Sequence, residues 1–138
     1  MSQREVVVFD VNETLLDLSG LAPAFAAILP VELMTIWFTR MLHNSLVANA
    51  TGHYDSFDRQ GVDALIVTAG SVGVSLSEPR AAELVAGMTS LPAHPDVVPC
   101  LEKLSESGFR LATLTNSSLP VLEAQMGNAP GSSAFSTN

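Results

Sequence analysis

An α/β core interrupted by a helical insertion is the fold class that this sequence predicts, and three observations predict it. Two short runs of strand-forming residues, 6–9 and 109–115, stand near opposite ends of the chain. Apolar residues at helical spacing fill most of the interval between them. A pair of prolines in Leu91-Pro92-Ala93-His94-Pro95 marks a connection where the insertion returns to the core. The expected division is a core of residues 1–14 and 93–126, a helical cap of 15–92, and a loose tail of 127–138. The alternative on pattern alone is an all-α chain whose two strands are misread.

The elements follow in order. Val6-Val7-Val8-Phe9 is a continuous β-branched and aromatic run, the pattern of a strand buried on both faces. Residues 21–50 have helical spacing, with Leu33, Ile36, Trp37, Met41 and Leu42 repeating at threes and fours until Thr51-Gly52 breaks the pattern. Phe57, Leu65, Ile66 and Ala69 predict a further helix that stops near Gly70. Ser77 is the expected N-cap of a helix through Leu84 and Val85, with Pro79 in its first turn. Asp96 is the expected cap of a helix carrying Val97, Leu101 and Leu104, which Gly108 ends. Residues 109–115 predict the second strand, centred on Leu111-Ala112-Thr113-Leu114, and a last helix spans about 119–126.

The chain has 138 residues, 47% apolar and 14% charged, which suits one core and excludes a disordered chain. Fourteen acidic residues outnumber six basic ones, for a net charge of −8. That balance argues against nucleic acid and anionic membrane surfaces as partners, because both need clustered Lys and Arg. The one cysteine, Cys100, cannot form an internal disulfide and fits a reducing compartment. No targeting segment precedes residue 6, and Pro23, Pro30 and Glu32 interrupt the apolar stretch 20–38, so a cytoplasmic protein is expected.

Asp10 directly follows the first strand, and Thr115-Asn116-Ser117-Ser118 directly follows the second. Open α/β sheets bind ligands beyond the carboxyl ends of their strands, so two neighbouring strands would place these groups in one small polar site. An Asp there is a competent nucleophile. It is equally a turn cap, and Ser117 or Ser118 can cap the last helix. The histidines His43, His53 and His94 show no metal-ligand spacing and no acidic cluster beside them, so no metal and no cofactor is expected. Glu13 is expected to face solvent, and Lys103 to be a surface residue.

Residues 8–17, Val8-Phe9-Asp10-Val11-Asn12-Glu13-Thr14-Leu15-Leu16-Asp17, resemble the first motif of the haloacid dehalogenase superfamily, within it the type II 2-haloacid dehalogenase-like branch. Residues 111–117 resemble its second motif. Trp37-Phe38, Ser45-Leu46-Val47 and Thr51-Gly52-His53-Tyr54 resemble the helical cap of that branch. The resemblance covers about residues 5–126 and implies a Rossmann-like parallel-sheet core, incomplete at its C-terminal end. It implies Asp10 as nucleophile with Thr14 as companion hydroxyl, and Thr115 and Asn116 as contacts to the substrate carboxylate. Trp37 and Arg40 join them as substrate-binding candidates, although the branch places its halide-holding Arg where this chain has Phe38. Arg40 lies two positions further on, which turns a helical side chain by about 200°.

The activity implied is hydrolytic removal of halide from a small 2-haloacid through an aspartyl ester. Superfamily phosphatases place an acid two positions after the nucleophile to protonate the leaving alkoxide. Here that position is Asn12, which has no proton to give. A halide needs none. The branch's later Lys and acidic motifs have no match, since Lys103 is the one Lys and Glu123 the one acid beyond Thr115. Two alternatives stay open: a phosphatase of the superfamily, and a non-catalytic truncated homologue. Without the later motifs the chain is expected to associate with itself through the exposed edge of its first strand and at best to complete the first, alkylating step.

Overall fold

The computed structural model describes residues 5–129 and 131. Two compact units make up the chain, one of residues 5–20, 89–115 and 120–129, the other of 21–88 and 116–119. The part of the expected tail at 130 and 132–138 lies outside the described residues.

The first unit contains β1 (Val6–Phe9) and β2 (Arg110–Thr113), which pair in parallel with Val6 opposite Arg110 and Phe9 opposite Thr113. A parallel pair needs a crossover, and here the whole helical insertion intervenes. Helix α5 (Val97–Glu106) packs against β2, burying Val97, Leu101 and Leu111. Gly108 ends that connection in the left-handed conformation, at φ 88°, as its position predicts. The expectation of a first strand buried on both faces is corrected. Val6 and Val8 share one face by the two-residue period of a strand, and they are 50% and 55% exposed. A β-branched run specifies the extended backbone, but burial on both faces needs a covering layer on both. Leu114, expected inside the second strand, is likewise exposed just beyond it, although its N–H extends the ladder to the Phe9 carbonyl.

The proline-rich connection is more ordered than its composition suggests. Leu16 and Ala93 form an antiparallel bridge, flanked by hydrogen bonds from Asp17 N–H to the Pro92 carbonyl and from His94 N–H to the Leu15 carbonyl. The two passes of the chain are thus tied together. Gly20 completes the crossing, because a Cβ there would stand 2.4 Å from Pro92 Cδ.

The second unit holds α1 (Ala22–Ala26), α2 (Leu33–Thr51), α3 (Phe57–Ser71) and α4 (Glu78–Ala86), with α3 packed between α2 and α4. The single helical stretch expected over 21–50 is two helices, since Pro30 cannot continue a helix and Leu33 starts afresh after it. Its core includes Phe25, Trp37, Met41, Phe57, Leu65 and Val85. The Trp37 indole N–H donates to the Gly61 carbonyl at 2.9 Å, and its ring lies 5.7 Å from that of Phe25. Ile36 departs from the predicted core stripe and is half exposed on the other side of α2.

The N-caps divide. Ser56 accepts from Arg59 N–H and caps α3. Ser77 and Asp96 occupy the N-cap positions predicted for them, yet neither side chain makes the cap hydrogen bond. Asp96 has helical backbone angles, and an N-cap side chain reaches back to the first turn from an extended backbone. Helix α6 (Leu119–Asn128) runs two residues past its expected end. Among the described residues, no helix is long and apolar enough to cross a membrane.

Candidate active site

The parallel register brings the carboxyl ends of β1 and β2 to one edge of the sheet, so Asp10 emerges there beside the segment that leads to Thr115. The Asp10 carboxylate is exposed, and the Thr14 hydroxyl donates to its Oδ2 at 3.0 Å. That contact follows from how the loop is wound. The Val11 carbonyl accepts from the N–H groups of Leu15 and Leu16 at 2.9 and 3.0 Å, which curls residues 11–16 and turns Thr14 back towards Asp10. Glu13 completes the turn at φ 62°, a left-handed conformation that strains a side chain with a Cβ by about 1–3 kcal/mol. Its carboxylate is exposed as expected, but it is not idle, because Oε1 accepts from Leu18 N–H at 2.6 Å.

Beneath the loop, Asn12 is buried and its Oδ1 accepts from Gln125 Nε2 at 2.9 Å. Thr115 is half-buried just past β2, and Asn116 follows it, exposed. Asp10, Thr14 and Thr115 therefore belong to the first unit, whereas Asn116, Trp37 and Arg40 belong to the second.

Within that second unit Trp37 is wholly buried. Arg40 is half-buried and lines an open pocket of about 470 Å³ with Thr35, Ile36, Thr39, His43 and Asn44. Its Nε is buried without a hydrogen-bond partner, whereas Arg59 and Arg80 are paired with carboxylates. A desolvated guanidinium N–H favours an anion, and the Thr hydroxyls and the Asn44 amide add neutral donors. The sequence held a signal for this face in the i, i+4 spacing of Thr35, Thr39 and His43, which the apolar stripe beside it obscured. Gln125 had no such signal, since a Gln between Ala124 and Met126 reads as a surface residue.

The expectation that no acidic cluster accompanies the histidines is corrected. The bridged crossing brings ligand atoms of Glu13, Asp17 and His94 to within 4.8 Å of one another, which makes this trio, among the described residues, the group able to hold a cation. The residues come from both passes of the chain, so sequence spacing cannot reveal them. The Ser19 hydroxyl and then the Ser19 N–H hold the Asp17 carboxyl below its ordinary pKa, with a smaller contribution from the charge of His94 and slight desolvation acting the other way. A depressed carboxyl pKa contributes stability that is complete above the ordinary value and lost as the pH falls through the folded one. Asp17→Asn is therefore expected to lower Tm slightly at pH 7, with the gap to wild type closing below pH 3.8, the ordinary value. Paired thermal melts across that range check it, and a gap that widens in acid would contradict it.

A family model for a hydrolase, the haloacid dehalogenase-like hydrolase, matches residues 5–137. The (S)-2-haloacid dehalogenase H-109 of Pseudomonas putida is 26% identical over 138 residues, covering 98% of this chain and 62% of that protein. The (S)-2-haloacid dehalogenase of Xanthobacter autotrophicus is 28% identical over 134 residues, covering 95% of this chain and 52% of that protein. Among solved structures, the L-2-haloacid dehalogenase from Xanthobacter autotrophicus with chloropropionic acid covalently bound superposes with a TM-score of 0.87 at 26% identity. That match covers 96% of this chain and 55% of the other. The chain thus spans between about half and three-fifths of the length of these relatives.

Proposed function

Because the chain belongs to the haloacid dehalogenase-like hydrolase family, we propose that it acts on a small 2-haloacid with Asp10 as the covalent nucleophile. The observation that carries this reading is the exposed Asp10 carboxylate at the end of β1, with one oxygen steadied by Thr14. The other oxygen attacks C2 of the haloacid. A C–O bond forms, the carbon–halogen bond breaks, and the halide departs with the bonding electron pair. Water then attacks the ester carbonyl on Asp10, which returns the carboxylate and releases a 2-hydroxyacid and a proton.

Thr115 and Asn116 are assigned to the substrate carboxylate, as neutral donors that suit a small acid. Arg40 and its pocket are assigned to anion binding, and Trp37 to holding α2 from its buried side. The four helices of the second unit form the cap. The outer edge of β1, with Val6 and Val8 exposed beside it, is the surface through which copies of the chain associate. The free, exposed Cys100 fits a reducing, cytoplasmic setting.

Asn12 separates this chemistry from phosphoryl transfer. It is buried against Gln125 and carries no proton for a leaving alkoxide, whereas a halide needs none. The test is to incubate the chain with 2-chloropropionate or with a generic phosphomonoester, with and without EDTA. Halide release that EDTA does not slow, with no phosphate release, is expected. Phosphate release that requires Mg²⁺ would establish the phosphatase reading instead.

A further inference from the structure

Gln125 is 1% exposed and Asn12 8%, and they meet in a hydrogen bond that joins residues 113 positions apart. Helix α6 has Gln125 as its one fully buried residue, so the side chain that it inserts into the first unit is a polar one. At the other end of the bond, Asn12 begins the loop whose curl carries Thr14 back to Asp10. Buried amides are held in place by their partners, and a partner that is itself buried cannot be replaced cheaply by water.

We propose that Gln125 is the positioning residue of the nucleophile loop. By holding Asn12 Oδ1 it pins the start of residues 11–16, and so fixes the direction in which Asp10 and Thr14 face. It touches no reacting atom. Position 12 thereby works as an anchor directed into the unit, and not as a group that meets the substrate. The catalytic consequence rests on the reading of Asp10 given above, while the hold on the loop stands without it.

Gln125→Leu removes the donor to Asn12 Oδ1 while keeping an apolar side chain of similar size. Hydrogen exchange of the Leu15 and Leu16 amides, both bonded to Val11, is expected to quicken about tenfold, with the amides of α3 unchanged. Unchanged exchange at Leu15 and Leu16 would overturn the proposal. Asn12→Leu with Gln125→Leu covers the case in which the single variant fails to fold, because replacing both partners leaves neither one stranded. In that double variant the loop amides should still exchange at the raised rate. Wild-type protection there would show that packing holds the loop, and would also overturn it.

Single-turnover alkylation of Asp10 by 2-chloropropionate, followed by the mass of the peptide that contains it, supplies the catalytic readout. The Leu variant should show a limiting rate about tenfold lower at an unchanged half-saturating concentration, as expected of a group that acts only through another. A raised half-saturating concentration at an unchanged rate would instead make Gln125 a substrate contact and overturn the positioning role. A wild-type chain that is never alkylated would overturn the dehalogenase reading, and the exchange experiment would then decide the role of Gln125 alone.

Discussion

Asp10→Asn should abolish the covalent adduct with 2-chloropropionate and lower halide release by at least about a thousandfold, the scale seen when a nucleophile is removed. An amide lacks the anionic oxygen that displaces the halide in the proposed reaction. The fold should be unaffected, because Asp10 is exposed and the bond it accepts from Thr14 is exposed as well. Coincident melting curves for the two proteins would establish that the loss is chemical. A second measurement tests the route itself. In one turnover by excess wild-type chain in ¹⁸O-water, the hydroxyacid should carry no label, because its new oxygen comes from Asp10. The label should appear in the Asp10 peptide. Labelled product in that first turnover would mean direct attack by water on C2.

The largest expected loss of stability is in the second unit. Trp37→Ala empties a fully buried indole site beside Phe25 and removes the donor to the Gly61 carbonyl. Large-to-small changes of this kind cost about 3–5 kcal/mol, a large fraction of the roughly 5–15 kcal/mol that holds a domain together. Trp37→Phe keeps most of the packing and removes the hydrogen bond, so its cost should be nearer 1–2 kcal/mol. Urea titrations of the three proteins measure both. Equal losses in the two variants would show that the hydrogen bond to Gly61, and not the volume of the ring, ties α2 to α3.

Both predictions concern residues that the sequence singled out, and the remaining ones show where such reading ends. Val6–Phe9, Arg110–Thr113 and the helices around Trp37, Phe57 and Leu101 were legible because each is written in a local period or a local breaker. Asp10 was legible because a carboxylate at the end of an apolar strand is a local pattern too. What failed were statements about partners. Ser77 and Asp96 are good cap residues in the right places, yet a cap bond needs a side-chain geometry that residue type does not determine. The valines of β1 are apolar throughout, yet what covers each face depends on elements elsewhere.

The sequence by itself determined the local chemistry of this protein: two strands, five helical stretches of which the structure divides the first in two, a carboxylate at one strand end and hydroxyl and amide donors at the other. Only the tertiary structure decided which distant groups meet. The parallel register put both strand ends on one edge, the bridged crossing set His94 beside Glu13 and Asp17, and α6 delivered Gln125 to Asn12. The physical reason is one of range. Backbone propensity and side-chain period act within a few residues, whereas a hydrogen bond between residues 12 and 125 exists only after two strands and a helix have packed.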